Sequence, residues 1–291
     1  MNLDGLETRT RVAFDPALAA DEFLWQGKLH DGPAAQRVSA YLDVVRSRAG
    51  IRWKARVESA NNFPAGAGIA SSASAFAALA LAAAAASGLT LTGRQLSALA
   101  RRGSGSACRS VPAGFTEWKM AVRDADSFAV SIAAPDAWAL VDWIAIVATG
   151  QKKTPSVEGH PLARTSPLQA ARVADAPRRL AICRKAVRAQ DFTALAAVLE
   201  EDTRLMHAVM LTSRPPLLYL TPETIGLMHA IPAWREAGIE VAYSIDAGAN
   251  VHCICPASFA GEVERKLRSH PGVVQLISAR PGGPARLVDD E

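Results

Sequence analysis

At 291 residues, 49% hydrophobic and 21% charged, the chain can bury a sizeable core as one large domain or two lobes, which excludes a disordered or fibrous protein. Its longest apolar run, Ala75 to Ala86, is far below the ~20 residues that span a bilayer. Met1-Asn2-Leu3-Asp4-Gly5-Leu6 has no basic stretch followed by an apolar one, so neither secretion nor a membrane partner is indicated and a cytoplasmic location is expected. The net charge of +4 is spread over scattered Lys and Arg without a basic stripe interleaved with aromatics, so an anionic small-molecule substrate accounts for it as well as nucleic acid does, and no nucleic-acid partner is expected.

In chain order, Glu7 to Phe14 alternates polar and apolar residues as a strand does. Glu22 to Gln26 is a second short strand candidate, and Arg37 to Arg48 carries apolar residues at helical spacing, giving a β-β-α opening. Ile51 to Glu58 alternates again and runs into Asn61-Asn62-Phe63-Pro64-Ala65-Gly66-Ala67-Gly68, a loop dictated by Pro and Gly. A long Ala-rich helix is predicted from Ser71 to about Ser87, closed by Gly88. Ser127 to Ala133 and Trp138 to Thr149 read as strands, the second nearly all apolar and so central in a sheet. Ala170 to Gln190, Phe192 to Val209 and Pro222 to Glu236 read as helices, the last two flanking the loop at Pro215-Pro216. The close is a strand (Glu240 to Ile245), a loop (Asp246 to Asn250), a strand (Val251 to Cys255), a helix (Phe259 to Ser269) and a short strand near Val274. Strands first, helices in the middle and a β-β-α ending predict an α+β protein with antiparallel sheets.

The cysteines, Cys108, Cys183, Cys253 and Cys255, form no C-x-x-C knuckle, and Cys253-Ile254-Cys255 alternates across a strand; free thiols are expected. No H-x-x-x-H pair occurs, and no metal is assigned to side chains.

Three segments offer chemistry on their own residues. In the first, Gly66 and Gly68 let the backbone approach a ligand, and Ser71, Ser72 and Ser74 place hydroxyls where a helix begins. Free N–H groups and the positive end of the helix dipole then face one point, which suits a phosphate; an ordinary Ser-capped buried helix has the same local pattern. In the second, Gly103-Ser104-Gly105-Ser106-Ala107-Cys108-Arg109-Ser110 sets a cation among hydroxyls on a short Gly-spaced loop, able to hold a carboxylate or phosphate or to pair with a surface acid. In the third, Asp246 in Tyr243-Ser244-Ile245-Asp246-Ala247-Gly248-Ala249-Asn250 stands at a strand end before a Gly turn, where an acid serves either chemistry or the turn itself.

These strings resemble a known family. Pro64 to Ala75 is similar to the P-x-x-x-G-L-x-S-S-A phosphate loop of GHMP kinases, with Ile69 in the Leu place. Asn61-Asn62-Phe63-Pro64 and G-S-G-S-A-C-R-S, with Gly114-Phe115 and Glu117-Trp118 beyond, resemble signatures of the diphosphomevalonate decarboxylases within that superfamily. Asp246-Ala247-Gly248-Ala249-Asn250 resembles D-A-G-P-N, with Ala249 for Pro. Arg204-Leu205-Met206-His207-Ala208 with Pro215-Pro216 and Tyr219-Leu220 resembles M-H-A…P-P…Y-L, and Ala279-Arg280-Pro281-Gly282-Gly283-Pro284 the family's Gly/Pro-rich tail. The family's K-Y-W-G-K strand and N-x-S-x-S motif have no counterpart; Met1 to Leu6 looks like the sequence just past them, about three to four dozen residues in.

The resemblance implies a GHMP-kinase-like α+β fold, with an N-terminal, ribosomal protein S5 domain 2-like ATP-binding lobe at 1–153 and a C-terminal ferredoxin-like lobe at 154–291. It implies ATP and Mg²⁺, with Pro64, Gly66, Ala67, Gly68, Ser71, Ser72 and Lys152 at the nucleotide. Lys153 is a second candidate there, the Lys pair being as readily solvated. Ser104, Ser106, Arg109 and Met206 would contact the substrate, with Arg109 and Asp246 catalytic. The implied reaction is ATP-dependent decarboxylation of diphosphomevalonate in isoprenoid biosynthesis, by a homodimer. A phosphomevalonate decarboxylase, a small-molecule GHMP kinase and, for want of K-Y-W-G-K, an inactive ligand-binding homologue are the alternatives.

Overall fold

The computed structural model describes residues 1–63, 71–147 and 156–288 and divides into two compact units, one before and one after the Pro135–Asp136 junction, with the residues from Pro281 onward returning to the first. This division precedes the boundary expected after residue 153, because the apolar strand before that point pairs with C-terminal strands.

The first unit opens with β1 (Thr8–Asp15), β2 (Glu22–Trp25), β3 (Lys28–His30), α1 (Pro33–Ala49) and β4 (Lys54–Asn61), in a four-stranded sheet of order β1-β4-β2-β3. β1 runs antiparallel to β4, Thr8 opposite Asn61 and Asp15 opposite Lys54. β2 lies parallel to β4, a correction to the expectation of purely antiparallel sheets: β3 and α1 intervene and return the chain in its starting direction. β3 was not foreseen either. It follows a tight turn in which Gln26 (φ 50°) and Gly27 (φ 75°) both take left-handed backbone, and Gln-Gly is a weaker hairpin signal than Asn-Gly.

Burial of a charge cluster fixes α1 on this sheet. Arg46 donates to both carboxylate oxygens of Asp21 at 2.9 and 3.0 Å, and Asp21 also accepts from the Ala55 N–H at 2.8 Å. Burial alone would raise the Asp21 pKa; the bonds from Arg46, Ser39 and Ala55 outweigh it and hold the carboxyl below its ordinary value.

α2 (Ser71–Ala86) packs its Ala-rich surface with α1, β4 and α3 (Gly93–Gly103) around Leu42, Val45, Val57 and Ala80. Small side chains let this helix lie close, and at Gly103 closeness is obligatory, since a Cβ there would stand 2.1 Å from Phe76 Cδ1. α3 begins at a Thr92/Gln95 capping box. β5 (Phe115–Lys119) and β6 (Phe128–Ala133) form an antiparallel hairpin.

The second unit holds β7 (Leu140–Ile146), α4 (Ser156–Leu162), α5 (Gln169–Ala189), α6 (Phe192–Leu211), α7 (Pro222–Glu236), β8 (Ala242–Ser244), β9 (Val251–Pro256), α8 (Ala260–Arg268) and β10 (Gln275–Ala279). Its sheet has the order β10-β7-β9-β8 with every neighbour antiparallel, the arrangement of a β-α-β-β-α-β ferredoxin-like unit with extra helices after the first strand. Val141, Ala145, Val251 and Cys253 on one face pack with Leu227 and Ile231 of α7 and Val263 and Leu267 of α8. A buried carboxylate ties the helices to the sheet: Glu200 of α6 receives a two-pronged bond from Arg235 of α7 (2.8 and 3.0 Å), and Arg235 also donates to the Val241 carbonyl. Among the described residues no helix is long and apolar enough to cross a membrane.

Candidate active site

Of the residues expected at the nucleotide, Pro64, Gly66, Ala67, Gly68 and Lys152, with Lys153, lie outside the described residues. Ser71 and Ser72 stand at the first two positions of α2, Ser72 exposed, and no acidic residue occupies that first turn. Ser74 is engaged elsewhere: its hydroxyl lies 2.7 Å from that of Thr8 and 3.1 Å from the Ser71 carbonyl, and Thr8 bonds Asn61 Oδ1 at 2.7 Å. This network joins the start of α2 to the ends of β1 and β4.

Residues 105–110 form a 3-10 helix directly after α3, where the sequence suggested a loop. The turn is regular because its inner side is apolar: Ala107 and Cys108 are fully buried, and Ser97 donates to the Cys108 carbonyl at 2.9 Å. Burial pushes the Cys108 thiol up, against the pull of Arg109 and Arg101, so the sulfur stays protonated. What the turn presents outward is the expected set. Ser104 and Ser106 are half-buried with their hydroxyls 3.4 Å apart, and Arg109 is exposed, without a hydrogen bond or ion pair to any described residue. A guanidinium and two hydroxyls carried on one short turn are suited to a carboxylate or a phosphate.

In the second unit Asp246 is exposed on the loop from β8 to β9, and its carboxylate likewise makes no hydrogen bond or ion pair with a described residue. The loop is tight, with the Gly248 N–H 2.7 Å from the Asp246 carbonyl. Thr224 of α7 donates to the Ala249 carbonyl at 2.7 Å, and Asn250 Oδ1 accepts the Val147 N–H at 2.9 Å. The Pro-to-Ala change at Ala249 therefore sits in a loop secured by side-chain bonds. Met206 is half-buried on α6, one residue before His207. His207, which the M-H-A string contains but to which no role was assigned, and Thr203, which no string names, are both buried against Ile245, the neighbour of Asp246.

The cysteines are free thiols, and burial, aided by Asp142, lifts Cys255 to about 12. No group of three or more His, Cys, Asp or Glu able to hold a metal occurs among the described residues.

Comparison with known proteins gives this geometry a family. Residues 1–129 match the model of a diphosphomevalonate decarboxylase-like N-terminal domain, and residues 143–275 that of the mevalonate 5-diphosphate decarboxylase C-terminal domain. The diphosphomevalonate decarboxylase of Eremothecium gossypii is 36% identical over 86% of this chain and 68% of its own length. The phosphomevalonate decarboxylase of Haloferax volcanii is 32% identical over 97% of this chain and 86% of its own. The crystal structure of mevalonate diphosphate decarboxylase from Staphylococcus aureus superposes with a TM-score of 0.92 at 36% identity, covering 97% of this chain and 86% of that one. A structure of MDDEF in complex with MVAPP, AMPPCP and magnesium gives 0.90 at 34%, with coverages of 97% and 86%. Family models match both halves of the chain, and solved decarboxylases share its α+β architecture: the chain belongs to the diphosphomevalonate decarboxylase family.

Proposed function

We propose that this protein catalyses the ATP-dependent decarboxylation of mevalonate diphosphate to isopentenyl diphosphate, with release of ADP, phosphate and CO₂, in isoprenoid biosynthesis. The observation that carries the reading is the agreement with decarboxylase models over residues 1–129 and 143–275.

ATP with Mg²⁺ supplies the phosphoryl group that turns a poor leaving group, a tertiary hydroxyl, into a good one. The residues at the start of α2 fit such a group: Ser71 and Ser72 offer hydroxyls, and the helix end offers N–H groups with no acid in the first turn to compete. The oxygens that hold Mg²⁺ would come largely from the nucleotide's own phosphates. Pro64, Gly66, Ala67 and Gly68 belong to the same proposal as the phosphate loop, with Lys152 at the nucleotide. Asp246 orients the 3-hydroxyl and takes its proton as the oxygen–phosphorus bond forms. The C–O bond to phosphate and the C–C bond to the carboxylate then break, the carboxylate's bonding pair closes the double bond, and CO₂ and phosphate leave. Arg109, with Ser104 and Ser106, holds the substrate's anionic groups, and Met206 contributes an apolar contact.

The Haloferax relative, aligned over 86% of its own length, favours one second reading, a monophosphate substrate. One experiment separates these: ADP and CO₂ measured in parallel with mevalonate mono- and diphosphate. CO₂ from the diphosphate supports the first reading and CO₂ from the monophosphate alone the second. ADP without CO₂ indicates a kinase, and neither product a ligand-binding homologue. A cytoplasmic homodimer completes the proposal, with light scattering as the test of its mass.

A further inference from the structure

β8 ends at Ser244 and β9 begins at Val251, so the sheet ladder stops one residue before Ile245. Backbone polar groups buried at such a place need partners from elsewhere. Both partners come from α6. The Ile245 N–H points to Thr203 Oγ1 at 3.4 Å, and the Ile245 carbonyl faces His207 Nε2 at 3.3 Å. Thr203 and His207 are four residues apart and therefore share one face of the helix, each only 3% exposed. A carbonyl can only accept, so Nε2 carries the proton of this imidazole. Burial lowers the His207 pKa, more than the Ile245 and Asp246 contacts raise it, and the ring is a neutral donor. The far end of the loop is secured independently by Thr224 on the Ala249 carbonyl and Asn250 on the Val147 N–H.

The residue that follows this clamped peptide is Asp246, exposed and with no carboxylate bond to a described residue. We propose that Thr203 and His207 are positioning residues: by bonding both backbone polar groups of Ile245 they fix where the Asp246 carboxylate stands, without touching substrate themselves. The inference rests on the reactive role given to Asp246 above. A side-chain clamp of this kind explains why two polar groups occupy buried helix positions that Leu or Val would fill without desolvation cost. An error of about 1 Å in a reacting group costs up to about a hundredfold in rate, so the clamp matters to turnover even though it lies behind the chemistry.

The contrast of His207→Gln with His207→Asn isolates the bond. Both are neutral amides; the Gln nitrogen reaches the place of Nε2, and the Asn nitrogen stops short of it. With Asn, kcat is expected to fall about tenfold or more, the KM for ATP staying within about twofold, and Gln is expected to restore most of the loss. Independently of turnover, hydrogen exchange across residues 245–250 is expected to be faster in the Asn variant than in the Gln variant. A purely structural role would shift the melting temperature and exchange throughout the unit in both. Equal kcat and equal exchange in the two variants overturns the inference; in a preparation without turnover the exchange difference alone decides. Should His207→Asn not fold, Thr203→Val removes the acceptor at constant shape, faster loop exchange supporting the inference and unchanged exchange overturning it. Full turnover in Asp246→Asn removes the reading of Asp246, and this inference with it. Loss in Asp246→Asn without loss in His207→Asn removes this inference alone.

Discussion

Replacing Arg109 by Ala separates a ligand-binding cation from a surface one. Among the described residues Arg109 has no partner to lose, and the 3-10 turn that carries it is held from within by Ala107, Cys108 and the Ser97 bond to the Cys108 carbonyl. Stability should therefore change by no more than about 0.5 kcal/mol, a shift of about one or two degrees in melting temperature. Binding should respond quite differently. A charge-assisted bond to a substrate carboxylate or phosphate is worth about 1.5–3 kcal/mol, which converts to roughly ten- to 150-fold in dissociation constant. Arg109→Lys keeps the charge but not the planar fork and should fall in between. Titration calorimetry with mevalonate diphosphate, beside a thermal melt of each variant, reads both quantities. Equal affinity in the Ala variant and the parent would refute the reasoning and return Arg109 to an ordinary solvated loop.

Gly103→Ala drives a methyl into the Phe76 ring and should cost about 1–3 kcal/mol, so an unchanged urea midpoint would contradict the packing of α3 on α2. Arg46→Leu leaves Asp21 buried without its cation and should destabilise by about 3–5 kcal/mol, part of it recovered when Asp21→Asn is added; denaturant titration of both is the check. Because burial holds folded His207 below the ordinary value of 6.5, the unfolded chain takes up a proton first as pH falls. The stability from this neutral ring is therefore complete above about pH 6.5 and declines below it. His207→Gln should flatten that part of the pH profile, and identical profiles would contradict the neutral donor.

The elements legible in the sequence are those with a strong local signature. The apolar run of β7 announced a central strand, and the Ala-rich stretch from Ser71 a buried helix. α3 carries one strong local signal, the capping box of Thr92-Gly93-Arg94-Gln95, but it was not foreseen, being only 11 residues long and running straight into the loop-like Gly103-Ser104-Gly105. The 3-10 helix could not be read from Gly and Ser content, since what makes it regular is Ala107 and Cys108 packing inward, a tertiary fact. The same holds for the parallel β2–β4 pair, which depends on where α1 returns the chain. Motif resemblance pointed to Arg109 and Asp246, each of which lies within its own short string. It named His207 only as part of the M-H-A string and passed over Thr203; their partner is a backbone peptide some forty residues away, and the local signal was a polar i, i+4 pair on the buried face of α6, which also carries Glu200.

If Asp246 acts on the substrate hydroxyl during ATP-dependent decarboxylation, Asp246→Asn should all but abolish turnover and leave the rest of the protein as it is. The change keeps size and turn-forming ability and removes the charge from a side chain that bonds nothing in the described structure, so fold and nucleotide affinity should survive. Turnover should not: CO₂ release from mevalonate diphosphate and ATP should fall by about 10²- to 10⁴-fold against the parent. CO₂ release at the parental rate in the Asn variant would contradict the account.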